Sequence, residues 1–259
     1  MYPIFRLELL ANITALLEEL QNAIKETLLE KKIAVAFSGG VDSTLLAKIC
    51  SDLGYQVTLL TIGFASSHDI LFSKKVNEIM KLPHKILEID QTTFHKVSSK
   101  IKDKINTDNL SWNENCIAFY YVSKLAQSLH LNTVITANGI DELFCGYNAY
   151  RDAIKEGKQI VQELMDSKIE NELKMMKAVN EVSSEFGVKI LQPFLSERFI
   201  KFSKKIPLNY KIKDSEDLLR KHIIRKIATD IGVPEISANK RKKALQYGSL
   251  IHKELIKSR

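Results

Sequence analysis

The sequence predicts an α/β protein, a parallel sheet with helices on both faces, extended by a helical C-terminal part. Three observations carry that prediction. Short apolar runs of strand length alternate with helix-periodic segments as far as Tyr150. The breaks between them fall on glycine and proline, and beyond Tyr150 the strand signals stop. No internal repeat or low-complexity linker divides the chain. It therefore reads as one unit over 1–259, with a leading helix (1–31), a core (32–150) and a helical part (151–259).

Leu10, Ile13, Leu17, Leu20, Ile24 and Leu28 recur at helical spacing and predict an amphipathic helix over 8–30. The run Ile33–Phe37 reads as a buried strand, broken by Ser38-Gly39-Gly40. Leu45, Leu46, Ile49, Cys50 and Leu53 predict a helix that Gly54 ends in a left-handed cap. Val57–Ile62 is a second strand, ended by Gly63. A helix over Asp69–Met80 stops near Pro83, and Lys85–Ile89 is a short strand. Ala118, Tyr121, Val122, Leu125 and Leu129 mark another helix before the strand Thr133–Ala137. Asp214 or Ser215 is placed to cap a helix carrying Leu218, Leu219, His222, Ile223, Ile227 and Ile231, closed by Gly232 and Pro234.

Composition excludes several classes. With 259 residues, 45% hydrophobic and 27% charged, the chain can bury a core without disulfides or metals. No run of about eighteen uncharged apolar residues occurs, so no membrane span is expected. Arg6, Glu8, Glu18 and Glu19 interrupt the N-terminal apolar stretch, which does not read as a signal peptide. Cys50, Cys116 and Cys145 are odd in number and widely spaced, which fits a reducing cytoplasm rather than a disulfide framework. The histidines have no zinc-ligand spacing. A net charge of +7 suits a phosphate-rich small substrate as well as a nucleic acid. Lysines spread through helices, rather than clustered with aromatics, argue against nucleic acid, the Lys240-Arg241-Lys242-Lys243 run excepted.

The sharpest motif is Ser38-Gly39-Gly40-Val41-Asp42-Ser43, between a buried strand and a helix. Glycines let the backbone turn tightly and approach a ligand. The helix that follows offers unpaired N–H groups and the positive end of its dipole to an anion such as pyrophosphate. Ser38 and Ser43 add hydroxyls. Bare phosphate would repel Asp42, so its carboxylate makes sense chiefly as a Mg²⁺ ligand. An ordinary Gly-rich turn is the plain alternative. A chance match of five fixed residues is on the order of one in a few thousand at average frequencies, and the strand–turn–helix context favours phosphate further. The loop lacks the GxxxxGK[ST] of ordinary nucleoside-triphosphate sites.

This motif resembles the SGGxDS loop of the ATP-pyrophosphatase (PP-loop) superfamily, whose fold is adenine nucleotide alpha-hydrolase-like. Three further segments resemble the synthetase domain of asparagine synthetases. Thr61-Ile62-Gly63-Phe64 looks like their adenine-side strand end. Thr136-Ala137-Asn138-Gly139-Ile140-Asp141-Glu142-Leu143-Phe144-Cys145-Gly146-Tyr147 is similar to SGEGxDELFGGY. Gln192-Pro193-Phe194-Leu195, Lys221-His222-Ile223-Ile224-Arg225 and Lys240–Lys243 resemble their PFLD, K-x-x-L-R and R-x-K elements, in the same order.

The resemblance implies ATP and Mg²⁺ as cofactors, cleavage between the α- and β-phosphates, and an acyl-adenylate. It implies ATP contacts from Ala36, Ser38, Gly39, Gly40, Val41, Asp42, Ser43, Ile62, Gly63, Ala137, Asn138 and Lys242. Asp42 and Asp141 are the implied metal ligands, and Lys242 reaches the α-phosphate, with Lys243 in reserve if the register slips by one. Cys145 beside the acidic motif could be a nucleophile, as in sulfur-inserting relatives, or a small buried residue; Cys116 reads as core.

Three departures limit the resemblance. Met1 is followed by Tyr2 rather than a glutaminase cysteine, so the expected nitrogen source is free ammonia, an amine substrate or a separate glutaminase subunit. Asn138 stands where the family has an acidic residue, and an amide cannot take a proton from an incoming amine. Ser196 likewise replaces the aspartate of PFLD. Three readings stay open: a ligase acting on a carboxylate such as aspartate, an enzyme modifying tRNA or a cofactor, and a non-catalytic nucleotide-binding homologue. A homodimer is compatible with each.

Overall fold

The computed structural model describes residues 2–241 and 243–257. The elements run α1 (Tyr2–Thr27), β1 (Lys32–Ala36), α2 (Val41–Asp52), β2 (Gln56–Gly63), α3 (His68–Met80), β3 (His84–Glu88), α4 (Gln91–Ile105), α5 (Leu110–Ser128) and β4 (Thr133–Ile135). There follow α6 (Ile140–Leu143), α7 (Ala149–Glu156), α8 (Lys158–Ser184), β5 (Lys189–Leu191), α9 (Glu197–Lys205), α10 (His222–Asp230), α11 (Glu235–Ala238), α12 (Leu245–Gly248) and α13 (Ile251–Lys257).

All the strand pairings are parallel, in the order β3-β2-β1-β4-β5. Ile33, Ala34 and Val35 of the central strand have no solvent exposure, so both faces of the sheet are covered. Their side chains alternate between two cores. Ile33 and Val35 join Leu16, Leu20 and Ile24 of α1 and Leu45, Leu46 and Ile49 of α2. Ala34 joins Phe94 of α4, Ile117 and Val122 of α5, and Val179 of α8. Burial of each large side chain contributes about 1.5–3 kcal/mol, so α1 is an integral layer of the domain.

Strand order positions the site. The chain moves outward from β1 through β2 to β3, then returns to the other side of β1 with β4. Between the carboxyl ends of β1 and β4 the connecting loops leave in opposite directions and open a crevice, the place where parallel α/β sheets bind ligands.

Three differences from the sequence reading have physical causes. Strand signals were expected to end at Tyr150, yet β5 adds a fifth strand, with Thr133 opposite Lys189 and Ile135 opposite Leu191. It is three residues long and only Ile190 is fully buried, too short for periodicity to register. The strand expected over Thr133–Ala137 ends at Ile135, because the backbone turns there into the site loop. The helix expected from Asp214 or Ser215 begins only at His222. Asp214 accepts the Glu216 N–H, and Asp217 accepts those of Lys213, Leu219 and Arg220, so carboxylates hold this segment in turns.

Candidate functional site

The loop after β1 and the loop after β4 face one another across a cleft of about 280 Å³. Ala36, Ser38, Gly40, Val41, Asp42 and Ser43 line it from the β1 side, and Ile62 from β2. Ala137, Asn138 and Asp141 line it from the β4 side. Gly39 and Gly63, also expected to touch ATP, are not among the lining residues. Gly39 has φ +76°, and a Cβ there would lie 3.1–3.2 Å from Phe72, Ser73 and Val76, so the position requires glycine. Its carbonyl accepts a 2.7 Å hydrogen bond from Ser237, whose hydroxyl also lies 2.9 Å from that of Thr44 and ties α11 to the loop. Ser38 and Ser43 hydroxyls lie 3.4 Å apart, and Ser43 also donates to the Gly40 carbonyl. Lys242 lies outside the described residues. Its neighbours Lys240, Arg241 and Lys243 line the cleft, with Lys240 stacked 4.4 Å over the Phe72 ring.

Asp42 and Asp141 meet at one cation. Lys221 Nζ lies 2.5 Å from Asp42 Oδ2 and 2.6 Å from Asp141 Oδ1, and its side chain is 2% exposed. Family resemblance drew attention to the segment containing Lys221, but not to this role. Arg220 and Lys221 both have left-handed backbone, φ +51° and +53°. A non-glycine residue pays about 1–2 kcal/mol for that conformation, so the surrounding contacts must over-determine it. Arg220 Nε and Nη2 donate to the Gly146 carbonyl at 3.3 and 3.1 Å. Arg225 donates to the carbonyls of Leu219, Arg220, Ala238 and Lys240, joining the Lys221 segment to the basic segment at the cleft rim.

Asp217 anchors the same turn. Burial pushes its carboxyl upward, but the N–H groups of Arg220 and Lys213 and the His222 ring outweigh this and hold it at about 2. A depressed carboxyl stabilises the fold above its unfolded value and loses that contribution as pH falls through its folded value. Acid unfolding should therefore include a step between about pH 4 and pH 2 that Asp217→Asn removes, read by circular dichroism against pH.

Further polar lining comes from α6 and the loops beside it and from α8. Glu142 accepts the Gly139 N–H at 3.0 Å and a short hydrogen bond from the Tyr147 phenol. Asn138 donates from Nδ2 to Glu172 Oε1 at 2.6 Å, while its Oδ1 accepts from Thr136 Oγ1 at 2.5 Å. Glu142 and Tyr147 belong to the acidic motif legible in the sequence, though without an assigned role, whereas Glu172 escaped the sequence reading. Glu172 lies 34 residues after Asn138 on a separate helix, and no local pattern marks it. Cys145 is fully buried, and burial first of all pushes its thiol up to about 12, which disfavours a nucleophilic thiolate. Cys116 is core, as expected.

Comparison with known proteins accounts for these motifs. The asparagine synthase family model matches residues 15–185 and 172–257. The chain belongs to the asparagine synthase family. Among relatives of the family, a putative glutamine-hydrolyzing asparagine synthetase 1 from Methanocaldococcus jannaschii is 26% identical, covering 90% of this chain and 49% of its own length. The glutamine-hydrolyzing asparagine synthetase of Rattus norvegicus is 25% identical, covering 89% of this chain and 42% of its own. The chain thus spans about half the length of the curated relatives it matches. Among solved structures, the NMN synthetase from Francisella tularensis overlays with TM-score 0.49 at 14% identity, over 92% of this chain and 77% of that one. Among the described residues no helix is long and apolar enough to cross a membrane.

Proposed function

We propose that the protein is an ATP-dependent adenylating ligase. It would join a carboxylate to AMP with release of pyrophosphate, then form an amide, with aspartate and ammonia as the leading substrates. The observation that carries this reading is the convergence of Asp42, Asp141 and Lys221 at the crevice beside the Ser38–Ser43 loop.

Each group has a chemical task. The N-terminus of α2 and the hydroxyls of Ser38 and Ser43 bind the β- and γ-phosphates. Asp42 and Asp141 would hold Mg²⁺ together with phosphate oxygens. Asp42 Oδ1 is buried without a hydrogen-bond partner and two hard oxygen donors border the cleft, so the residues fit such an ion. The ion, when bound, neutralises triphosphate charge. Lys221 keeps the two carboxylates together, and Lys242 is assigned to the α-phosphate, where charge builds as the acyl group attacks. Nitrogen would come from free ammonia or from a separate glutaminase subunit, in keeping with the names of the relatives.

Exchange of labelled pyrophosphate into ATP, measured with aspartate and Mg²⁺, tests this reading. Asp42→Asn and Asp141→Asn are each expected to slow it by about 100-fold or more, and Lys242→Ala to depress turnover more than nucleotide binding. Wild-type rates in all three variants would sink the assignment. A second reading, modification of tRNA through an adenylated intermediate, draws on Lys240, Arg241 and Lys243 at the cleft rim. Tight tRNA binding that falls steeply with salt would favour it.

A further inference from the structure

Residues 240–243 are four consecutive cations between α11 and α12, and Lys240, Arg241 and Lys243 line the cleft. Like charges repel one another, and long side chains lose rotamer freedom when they are held on a ligand. Such a segment aims its charges only if the chain is fixed on both sides of it. The near side is fixed. Ser237 bonds the Gly39 carbonyl, and Arg225 Nη1 donates to the carbonyls of Ala238 and Lys240 at 2.5 and 2.9 Å.

The far side is held by α12 and α13, to which the proposed chemistry gives no task. Ala244, Leu245 and Gln246 carry the cleft wall into α12. The Ser249 carbonyl accepts the Phe64 N–H at 3.0 Å, just beyond β2. Gly248 lies so close to α3 that a Cβ there would fall 2.0 Å from Asp69 Oδ1. Ile251 is fully buried in the core that contains Phe119 and Val122 of α5. One polar pair then ties α13 to α5. His252 Nδ1 lies 2.5 Å from Glu114 Oε1, and Glu114 is 2% exposed. An ionised carboxylate only accepts, so the ring donates, and burial strengthens the bond. Glu114 follows Ser111 and precedes Asn115, and both of these line the cleft. The Tyr247 ring lies 4.5 Å from that of His252, which couples α12 to the same contact.

We infer that His252, through its bond to Glu114, is a positioning residue that holds the basic segment 240–243 over the cleft; the inference rests on the adenylating-ligase reading, in which that segment meets the triphosphate. His252 is not among the lining residues and acts at a distance. By fastening α13 to α5 it fixes the point at which the chain leaves the cleft, as Arg225 and Ser237 fix the point at which it arrives. The segment between these two anchors then has little room to carry its cations away from the Ser38–Ser43 loop. A displacement of about 1 Å at such a group is enough to cost about 100-fold in rate.

The test compares wild type, His252→Leu, His252→Asn, Lys242→Ala and the double variant His252→Leu/Lys242→Ala. Leucine removes the donor, whereas asparagine carries an amide N–H at the place of Nδ1. Pyrophosphate exchange with Mg·ATP and aspartate is expected to fall by about 10-fold or more in His252→Leu and to recover most of that loss in His252→Asn. In the Lys242→Ala background the leucine substitution should add less than about 2-fold, because the two residues act through one contact. Limited trypsin digestion, mapped by mass spectrometry, reads the segment without the reaction. Cleavage within 240–243 should quicken by about 10-fold in His252→Leu, with cleavage at Lys201 and Lys205 of α9 unchanged. Undiminished exchange in His252→Leu, the same fold loss in both backgrounds, or equal quickening at all these sites would overturn the inference and leave the ligase reading intact. Failure of the wild type to exchange pyrophosphate would instead sink the ligase reading for that acceptor, and the trypsin pattern then decides by itself whether His252 holds the segment.

Discussion

Lys221→Met is expected to lower the unfolding free energy by about 3–5 kcal/mol, the cost of leaving buried charges without their partner. The lysine is nearly inaccessible and pairs with two carboxylates at 2.5 and 2.6 Å. Methionine fills a similar volume but leaves two like charges facing each other beside strained backbone at Arg220 and Lys221. MgCl₂ should recover more stability in the variant than in the wild type, because a divalent cation can screen the same two carboxylates. Urea denaturation with and without MgCl₂ measures both effects. Coincident midpoints for variant and wild type would mean that the triad contributes nothing to stability and that Asp42 and Asp141 do not form a cation site.

Gly146→Ala should damage activity far more than folding. A Cβ at this position would fall 1.8 Å from Asp141 Oδ1 and 2.7 Å from its Cγ, so the carboxylate has to move. The backbone also has little freedom. The Gly146 N–H donates to the Asp141 carbonyl at 2.7 Å, and its own carbonyl receives Arg220, the neighbour of Lys221. Displacement of a catalytic group by about 1 Å can cost about 100-fold in rate, and over-packing of this kind costs about 1–3 kcal/mol. Pyrophosphate exchange and thermal unfolding measured together should therefore show a large kinetic loss with a modest fall in midpoint. Near-wild-type exchange would show that Asp141 need not sit where Gly146 now lets it lie.

Local pattern was enough for the element types around the site. Ile33–Phe37 and Val57–Ile62 read as strands because both faces of a parallel sheet are buried, and Gly54 ends α2 at φ +79° as its position implied. The glycine and hydroxyl pattern of Ser38–Ser43 was legible because close backbone approach restricts residue choice at fixed spacing. Strand β5 was not, since three residues with one buried side chain carry no period. The segment 214–220 reads as a helix start because Asp214 or Ser215 could cap one, whereas Asp217 is the hub of a turn that contacts from Gly146 and Arg225 hold in place.

The sequence by itself determined an α/β sheet with a phosphate-type loop after its first strand and an acidic motif after a later one. Only the tertiary structure decided that Lys221, 179 residues after Asp42, lies between the two carboxylates. It alone brought Glu172 of α8 to the amide of Asn138. Hydrophobic period and turn chemistry act over a few residues, whereas these pairs form because strand order folds distant segments into one crevice, where a buried charge must find its partner.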